Sequence, residues 1–296
     1  MINSQRSQEY RAEVLLLVVV VIWAANYPLA KFALTFLHPF VFNAIRYVVA
    51  ASVLLFGARI GSWWAPVKKS DWPGLLRAGV VASVLYQVLF IIGLSMTTAG
   101  NSAIILSTSP LWTIFLTARM HKEKIARVMW LGMLISLAGI ALIIVGSGKK
   151  LGLGSQELTG DLIVLAAAAL WGLNTTLQKP LLHTYSAQQL SLILISIGAL
   201  GLTAAGIPAI LQTDWQSVHW IAVAAAIVSG AFSIGIGSVM WSYGVKHLGP
   251  GRTANFNNLI PVLAFILSYF TLNEQLLPIQ IAGACITVIG VWIARR

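Results

Sequence analysis

Long stretches of this chain carry no charged side chain. No Asp, Glu, Lys or Arg occurs between Arg77 and Arg119, from Pro180 to Thr213, or from Trp215 to Val245. A helix that crosses about 30 Å of hydrocarbon needs about 20 such residues at 1.5 Å each. The chain is 58% hydrophobic and 9% charged, whereas an average soluble protein is about 25% charged. The sequence therefore predicts an all-α integral membrane protein.

The apolar runs fit ten transmembrane helices. The charge-free stretch after Arg77 is too long for one crossing, and Thr97-Thr98-Ala99-Gly100 is the natural turn within it. The predicted spans lie near residues 12–34, 39–60, 72–95, 99–119, 127–146, 159–181, 186–208, 218–244, 250–270 and 277–294.

Positive charges are distributed unevenly between these spans. When the N-terminus is placed in the cytoplasm, most of the 19 lysines and arginines fall on the cytoplasmic side, whereas Lys149 and Lys150 lie outside. Cytoplasmic loops carry such an excess, so both termini are predicted to be cytoplasmic, in the plasma (inner) membrane. The cations lie between apolar runs and form no basic aromatic platform, so the net charge of +11 does not indicate nucleic-acid binding.

The chain also repeats itself at a nearly constant spacing. Trp23, Asn26 and Lys31 return 148 residues later as Trp171, Asn174 and Lys179, and Gly93, Gly100, Pro110, Glu123, Gly132 and Gly139 return 151 residues later as Gly244, Gly251, Pro261, Glu274, Gly283 and Gly290. This pattern indicates a duplicated unit, which is typical of transporters. We predict a first repeat over 1–146, an external linker over 147–158 and a second repeat over 159–296. Five spans per repeat is an odd number, which predicts inverted orientations.

The two series Pro110…Glu123…Gly132…Gly139 and Pro261…Glu274…Gly283…Gly290, with Pro39…Arg46…Ala50 in span two, resemble the EamA domain of the drug/metabolite transporter superfamily. The domain occurs twice, and the two copies together cover nearly the whole chain. Within the superfamily, the chain is similar to the YddG-type exporters of aromatic and other neutral amino acids. This resemblance implies a monomeric carrier of ten helices with a central cavity lined mainly by spans 1, 3, 4, 6, 8 and 9, and with spans 5 and 10 at the periphery.

The function expected from this resemblance is export of amino acids, or of similar small amphipathic metabolites, by alternating access. The alternative within transport is a multidrug or other metabolite carrier, for example of nucleosides. An intramembrane enzyme is not expected, because neither HExxH nor GxSxG occurs and the histidines fall near span ends. No cofactor and no metal site is predicted. The expected partners are a small-molecule substrate and the lipid bilayer.

Two polar helix faces are the first candidates for substrate binding. They comprise Trp23, Asn26, Tyr27 and Lys31 in span one and Trp171, Asn174, Thr175, Gln178 and Lys179 in span six. Polar groups in lipid must face protein or water, so both faces should point inward. They could line a cavity or form a hydrogen-bond network between helices, and their recurrence in both repeats favours the cavity. For Lys31 and Lys179, which lie near span ends, snorkelling to the interface is the alternative.

Spans three, four, eight and nine supply the remaining candidates. Ser107, Asn255 and Asn258 are polar, and Tyr86, Phe90, Trp112 and Trp241 are aromatic and would suit an apolar or aromatic cargo. Pro110 and Pro261 are candidate hinges that free the carbonyls of Leu106 and Asn257. Arg46 is expected to be structural and to snorkel to the outer edge, and Glu123 and Glu274 are expected to make cap or loop contacts.

No carboxylate falls inside a predicted span except Asp161, at the rim of span six. Proton coupling needs a group that titrates in the transport pathway, and tyrosine or lysine would need a large pKa shift to do so near neutral pH. The sequence therefore predicts facilitated diffusion of a neutral or zwitterionic solute, without a carboxylate proton relay.

Overall fold

Helices form almost all of the backbone described by the structure, a computed structural model. It describes residues 2–61, 64–120, 127–146, 156–272 and 277–293, and within these ranges there is no strand. The helices are α1 (Ile2–Ala33), α2 (Pro39–Gly61), α3 (Trp72–Gly79), α4 (Tyr86–Met96), α5 (Ala99–Leu106), α6 (Ser109–Met120), α7 (Arg127–Gly146), α8 (Gln156–Thr184), α9 (Ala187–Gln212), α10 (Trp220–Val228), α11 (Gly237–Ala254), α12 (Ile260–Leu272) and α13 (Pro278–Ile293).

Seven continuous helical segments in the described residues are long and apolar enough to cross a membrane. They are Arg6–Ala33, Pro39–Gly61, Lys69–Met96, Ala99–Met120, Gln156–Thr184, Ala187–Gln212 and Trp220–Ala254, and Pro278–Gly290 is a shorter apolar helix. Large apolar side chains on their outer faces, such as Phe56, Leu200 and Leu211, are exposed, as expected of surfaces that contact lipid. The prediction of an all-α, membrane-spanning protein is confirmed at this level.

Several boundaries differ from the predicted ones. Helix α1 begins at Ile2 rather than near residue 12, because its polar first turns contain good helix formers and Arg252 of α11 binds Glu9 and Glu13 on it. The turn predicted at Thr97–Gly100 is confirmed. There the Thr98 side chain accepts a hydrogen bond from the Asn101 backbone N–H at 3.0 Å and caps α5.

Two membrane-crossing segments contain a π-helical stretch. Val80–Leu85 joins α3 to α4, and the Tyr86 N–H bonds to the Val81 carbonyl. Ser229–Ile236 joins α10 to α11, and the Gly237 N–H bonds to the Phe232 carbonyl. Both bonds span five residues instead of four. Such stretches are rare and often occur at functional sites, because they turn the following side chains to a new direction.

Two further segments are interrupted just before a proline. Ser107 and Thr108 separate α5 from α6, so Pro110 becomes the second residue of α6. The stretch Asn255–Leu259 is a 3₁₀-helix, and Pro261 is the second residue of α12. A proline is tolerated in the first turn of a helix because its missing N–H has no partner there. The kinks are therefore built into the two segments that carry the candidate hinges.

Helix packing brings distant parts of the chain together around one interior. Helix α1 packs on α11 and α12, α2 on α9, and α4 and α6 on α8. Gly93 lets α4 approach α8 closely, since a Cβ there would lie 2.6 Å from Cγ2 of Val164. Helices α7 and α13 pack against each other, and none of their described side chains lines the cavity described below.

Candidate functional site

A cavity of about 80 Å³, measured as space for the centres of water-sized spheres, lies at the centre of the bundle. A single water needs only about 10–15 Å³ on that measure, so the cavity can hold a small molecule or several waters. Its lining comes from α1, α4, α5, α8, α11 and α12, from both π-helical stretches and from the 3₁₀-helix. Helices α2 and α9 also line it through Arg46, Tyr47 and Ser191, which extends the expected set to spans two and seven.

Most of the predicted binding residues line this cavity. They are Trp23, Asn26, Tyr27, Tyr86, Phe90, Ser107, Trp171, Asn174, Gln178 and Trp241. They come from four helices, α1, α4, α8 and α11, and from Ser107 between α5 and α6, and the fold brings them to one place. Contact of these side chains with a substrate stays a prediction.

Six aromatic side chains form a continuous wall of the cavity. The ring centroids of Trp23 lie 5.2 Å from those of both Trp171 and Trp241, and Trp171 and Trp241 are 5.4 Å apart. Tyr86 continues the wall at 4.9 Å from Trp171. Phe90 and Tyr27 complete it, at 5.8 Å from Tyr86 and 5.7 Å from Phe90 respectively. Edge-to-face and tilted geometries of this kind are favourable, and the wall suits an apolar or aromatic group.

The orientation of Trp23 is fixed by its neighbours on the second π-helical stretch and α11. Its Nε1 donates to the Ser233 carbonyl at 3.0 Å. A Cβ on Gly237 would lie 2.8 Å from the same Nε1, so only glycine leaves room for the indole in this position. Helix α1 can therefore pack on α11 with Trp23 in this orientation because Gly237 has no side chain.

The buried amides of α1 and α8 line the cavity and form three hydrogen bonds, two of them to other helical segments and one within α8. Oδ1 of Asn26 accepts from Oγ of Ser229 at 2.5 Å. Oδ1 of Asn174 accepts from Nε2 of Gln178 at 2.8 Å, and Oε1 of Gln178 accepts from Oγ of Ser242 at 2.9 Å. Asn26 and Gln178 therefore line the cavity and also form hydrogen bonds to other helical segments. The amide oxygens have protein donors already.

Four of the predicted binding residues whose side chains the structure describes do not line the cavity, and two of them are the lysines. Nζ of Lys31 donates to the carbonyls of Leu94, Ser95 and Thr97, at 2.9, 3.1 and 2.5 Å. These carbonyls lie at the C-terminal end of α4, where unpaired acceptors and the helix dipole attract a cation. Lys179 is exposed, in agreement with the snorkelling alternative.

Thr175 and Trp112 are the other two. Oγ1 of Thr175 donates to the Trp171 carbonyl at 3.0 Å, within its own helix. Trp112 packs against the opposite side of α8, where a Cβ on Gly172 would lie 2.7 Å from the tryptophan Cβ. Spacing along the helix placed Thr175 on the polar face of span six, and Trp112 was a candidate because of its aromatic ring, but neither lines the cavity.

The kinked segments contribute Ser107 and Asn257. Ser107 lines the cavity and donates from Oγ to the Ile104 carbonyl at 2.6 Å. Asn257 lines it as well, and its Nδ2 donates to Oγ of Ser109 at 3.2 Å. The carbonyl of Asn257, expected to be free, accepts from the Ile260 N–H, because the 3₁₀-helix shortens the bond by one residue. The side chains of Asn255 and Asn258, and Glu123 and Glu274 entirely, lie outside the described residues.

Arg46 is the cavity residue that the sequence reasoning placed wrongly. Its side chain is 1% exposed and lines the cavity instead of snorkelling outward. Nη1 donates to Oδ1 of Asn43 at 3.1 Å and to Oε1 of Gln87 at 3.4 Å, and the guanidinium carbon lies 5.0 Å from the centre of the Phe42 ring. These acceptors hold the arginine inside the bundle. The pair Asn43 and Arg46, three residues apart on one helix face, was the signal that could have indicated it.

The charge of the cavity is positive. Among the described residues that line it, Arg46 is the one that carries a formal charge at neutral pH, and none is Asp or Glu. Asp161 is buried elsewhere, where its Oδ1 accepts from Oγ1 of Thr97 at 2.6 Å. Within the described residues there is no cluster of three or more His, Cys, Asp or Glu side chains that could hold a metal ion.

Polar contacts tie helices together at the end of the bundle that carries the N-terminus. Arg252 binds Glu9 at 3.2 Å and Glu13 at 3.0 Å. The hydroxyl of Tyr185 donates to Oδ2 of Asp71 at 2.6 Å; burial and this hydrogen bond raise the pKa of Tyr185. Nε2 of Gln189 donates to the carbonyl of Ala65 at 2.5 Å. These contacts join neighbouring segments at that end of the bundle.

Comparison with known proteins gives the same picture as the fold. The chain is 26% identical to the uncharacterized transporter YyaM of Bacillus subtilis strain 168 over 283 residues, which is 94% of this chain and 91% of the relative. It is 25% identical over 281 residues to a probable terminal-alkyne amino-acid exporter of Streptantibioticus cattleyicolor, with coverage of 95% and 92%.

A solved structure described only as "Crystal structure of protein" has the same overall fold, with a TM-score of 0.68 at 17% identity over 96% of this chain and 97% of that one. The EamA-like transporter family matches two stretches, residues 10–145 and 158–296. Together with the membrane-spanning helices, these matches show that the chain is an integral membrane protein that belongs to the EamA-like transporter family.

Proposed function

We propose that this transporter exports amino acids, aromatic and other neutral ones, or similar small amphipathic metabolites. The observation that carries the proposal is the central cavity, which combines an aromatic wall with polar side chains. A cargo with one apolar and one polar end fits such a lining. The relative named as a probable terminal-alkyne amino-acid exporter supports the same class of cargo.

Ten helices in two inverted repeats of five would form the carrier, over 1–146 and 159–296, joined by an external linker over 147–158. The twofold match to the family supports this arrangement, as do the π-helical stretches and the kinks before Pro110 and Pro261, which recur at corresponding positions of both halves. Two such halves can rock around a site between them, with the kinks as hinges. The carrier acts as a monomer, in the plasma membrane, with both termini in the cytoplasm.

Transport proceeds by facilitated diffusion in this proposal. The described lining of the cavity contains no carboxylate that could carry a proton between the two sides. Export then follows from a higher solute concentration in the cytoplasm. The aromatic wall would also accept the planar base of a nucleoside, so a nucleoside-like cargo is the second candidate.

Counterflow in liposomes tests the proposal directly. Purified protein is reconstituted with unlabelled phenylalanine inside, and entry of labelled phenylalanine, leucine and uridine is measured. We expect entry of the two amino acids and little of uridine. Trp171→Ala should slow entry about tenfold, because it removes the ring that joins three others of the wall. Trp220→Ala, which removes an exposed tryptophan, is the matched control. Uptake of uridine alone would favour the nucleoside reading.

A further inference from the structure

We propose that Arg46 binds a carboxylate of the cargo, and that this anionic group, rather than an ammonium, is what the cavity requires. The inference rests on the proposed function and narrows its substrate class to carboxylates with an apolar or aromatic tail. Such cargoes include acids that carry no amine at all.

The guanidinium of Arg46 carries a buried positive charge. Arg46 is 1% exposed and lines the cavity, yet no Asp or Glu contacts it among the described residues. Its hydrogen-bond partners are the neutral side chains of Asn43 and Gln87, and its Nε has no acceptor in the described part of the chain. A buried charge is costly unless it is paired, and an arginine within a membrane protein marks a functional site by default. Here the positive charge is held in place but not neutralised.

The hydrogen bonds of Arg46 also fix the orientation of its guanidinium. Nδ2 of Asn43 donates to the Gln87 carbonyl at 3.1 Å, so the oxygen of that amide faces Arg46. Gln87 in turn belongs to α4, one residue after Tyr86 of the aromatic wall. The residue of α4 that holds Arg46 is therefore the sequence neighbour of Tyr86, one of the rings of the aromatic wall. A cargo that places its carboxylate on Arg46 can lay an aromatic or aliphatic tail along the rings.

The hydrogen-bond donors and acceptors of the cavity lining also favour an anionic group of the cargo. Nε1 of Trp241, which is 2% exposed and also lines the cavity, has no acceptor among the described residues. The amide oxygens of Asn26, Asn174 and Gln178 each accept a hydrogen bond from the protein already. The cavity thus has two unused donors, Nε of Arg46 and Nε1 of Trp241, whereas these three amide oxygens already have a donor each. An acceptor-rich anion matches the unused donors, whereas an ammonium finds no carboxylate among the described lining residues.

The charge also limits the anion. One guanidinium binds a planar carboxylate through two parallel hydrogen bonds. A dianionic phosphate would bring more charge than a single buried cation balances. The predicted cargo is therefore a monocarboxylate.

The first experiment needs no variant. Purified protein is titrated by calorimetry with phenylalanine, with 3-phenylpropanoate, which lacks the ammonium, and with phenethylamine, which lacks the carboxylate. We expect the affinity for 3-phenylpropanoate to lie within about threefold of the affinity for phenylalanine. The ammonium of phenylalanine adds at most a weak hydrogen bond to an uncharged group, as is typical of membrane protein interiors. Phenethylamine should bind at least about 30-fold more weakly, as expected for loss of a buried hydrogen-bonded charge partner.

The second experiment assigns the effect to Arg46. Arg46→Met keeps the length of the side chain and removes its charge, and Arg46→Lys keeps the charge and loses the fork. Arg59→Met changes an exposed arginine on the same helix and is the matched control. We expect Arg46→Met to weaken 3-phenylpropanoate about 30-fold or more while phenethylamine is unchanged. Arg46→Lys should be intermediate, and Arg59→Met should bind like the parent. The ratio of the two affinities within one protein is insensitive to loss of folded material.

The outcomes separate this inference from the proposed function. If 3-phenylpropanoate binds through Arg46 but no amino acid enters liposomes, the amino-acid assignment is wrong and the carboxylate site stands. If amino acids are transported but phenethylamine binds as tightly as 3-phenylpropanoate, or Arg46→Met leaves their ratio unchanged, the carboxylate site is refuted. Failure of the parent to bind 3-phenylpropanoate refutes it as well. If Arg46→Met does not fold, the comparison of ligands on the parent protein still decides.

Discussion

Gly237→Ala is a small change whose effect can be worked out from the contact between α11 and Trp23. The new Cβ would lie 2.8 Å from Nε1 of Trp23, which is too close for either group to stay in place. The indole would have to move, and the 3.0 Å hydrogen bond from Nε1 to the Ser233 carbonyl would be lost. The edge-to-face contact with Trp171, whose centroid lies 5.2 Å away, would change as well.

Each of these two losses costs an amount that is known in order of magnitude. A hydrogen bond contributes about 0.5–1.5 kcal/mol, and an aromatic pair of this geometry contributes about 0.5–1.5 kcal/mol beyond its buried area. Together they correspond to about 1–3 kcal/mol. These contacts lie within the protein, so this figure is a loss of stability, and a cargo that binds against the correctly placed indole should also bind the variant more weakly than the parent.

Counterflow at several substrate concentrations measures the loss of affinity, since it yields the apparent affinity and the maximal rate separately. Gly251→Ala is the control, because a Cβ there meets no atom within 4 Å. We expect Gly251→Ala to behave like the parent, and Gly237→Ala to be extractable and monodisperse but weaker in affinity. A folded Gly237→Ala protein with unchanged apparent affinity would falsify the assignment of Trp23 to the binding site.

Three further predictions concern other parts of the molecule. Asn26→Ala and Asn174→Ala should each weaken apparent affinity about 5- to 150-fold in counterflow; parental kinetics in both folded variants would show that these amides do not serve the cargo. Reporter fusions after Lys69 should be cytoplasmic and fusions near Lys149 external, and the reverse pattern would exclude the proposed orientation. A pH gradient across liposomes at zero membrane potential should not drive accumulation of labelled phenylalanine. Accumulation above equilibrium would reveal a proton site, and Asp161 would be the first residue to neutralise.

Local periodicity and the internal repeat were enough to name four rings of the aromatic wall as candidate cavity residues. Trp23 and Trp171 occupy corresponding positions about ten residues into their predicted spans, and Tyr86 and Phe90 share a helix face because they are four residues apart. Each of these relations lies within one helix or between two equivalent ones. In the structure these four rings lie at one cavity; their contact with a cargo stays a prediction.

Arg46 could not be placed in the same way, because Asn43 on its own helix face is an ambiguous signal and its second acceptor lies on another helix. Sequence shows an arginine about two turns into a span, and a snorkelling side chain satisfies that pattern equally well. The deciding acceptor is Oε1 of Gln87, and no single sequence reveals that these two residues meet. Of Asn255, Asn257 and Asn258, at least one was expected to reach the cavity, but the sequence could not say which, because the 3₁₀-helix over Asn255–Leu259 does not follow the 3.6-residue period used to assign helix faces.

The π-helical stretch Val80–Leu85 has a consequence for insertions and deletions. An α-helix advances about 100° per residue, and the wide turn takes up one extra residue with little added rotation. Deletion of one residue there would let the backbone revert to regular α-helix with its hydrogen bonds intact. Tyr86, Gln87 and Phe90 would keep their direction after that deletion, whereas one added residue that the turn could not absorb would rotate them by about 100° away from the interior. This segment can thus lose one residue without redirecting the side chains that line the cavity, but it cannot gain one in the same way.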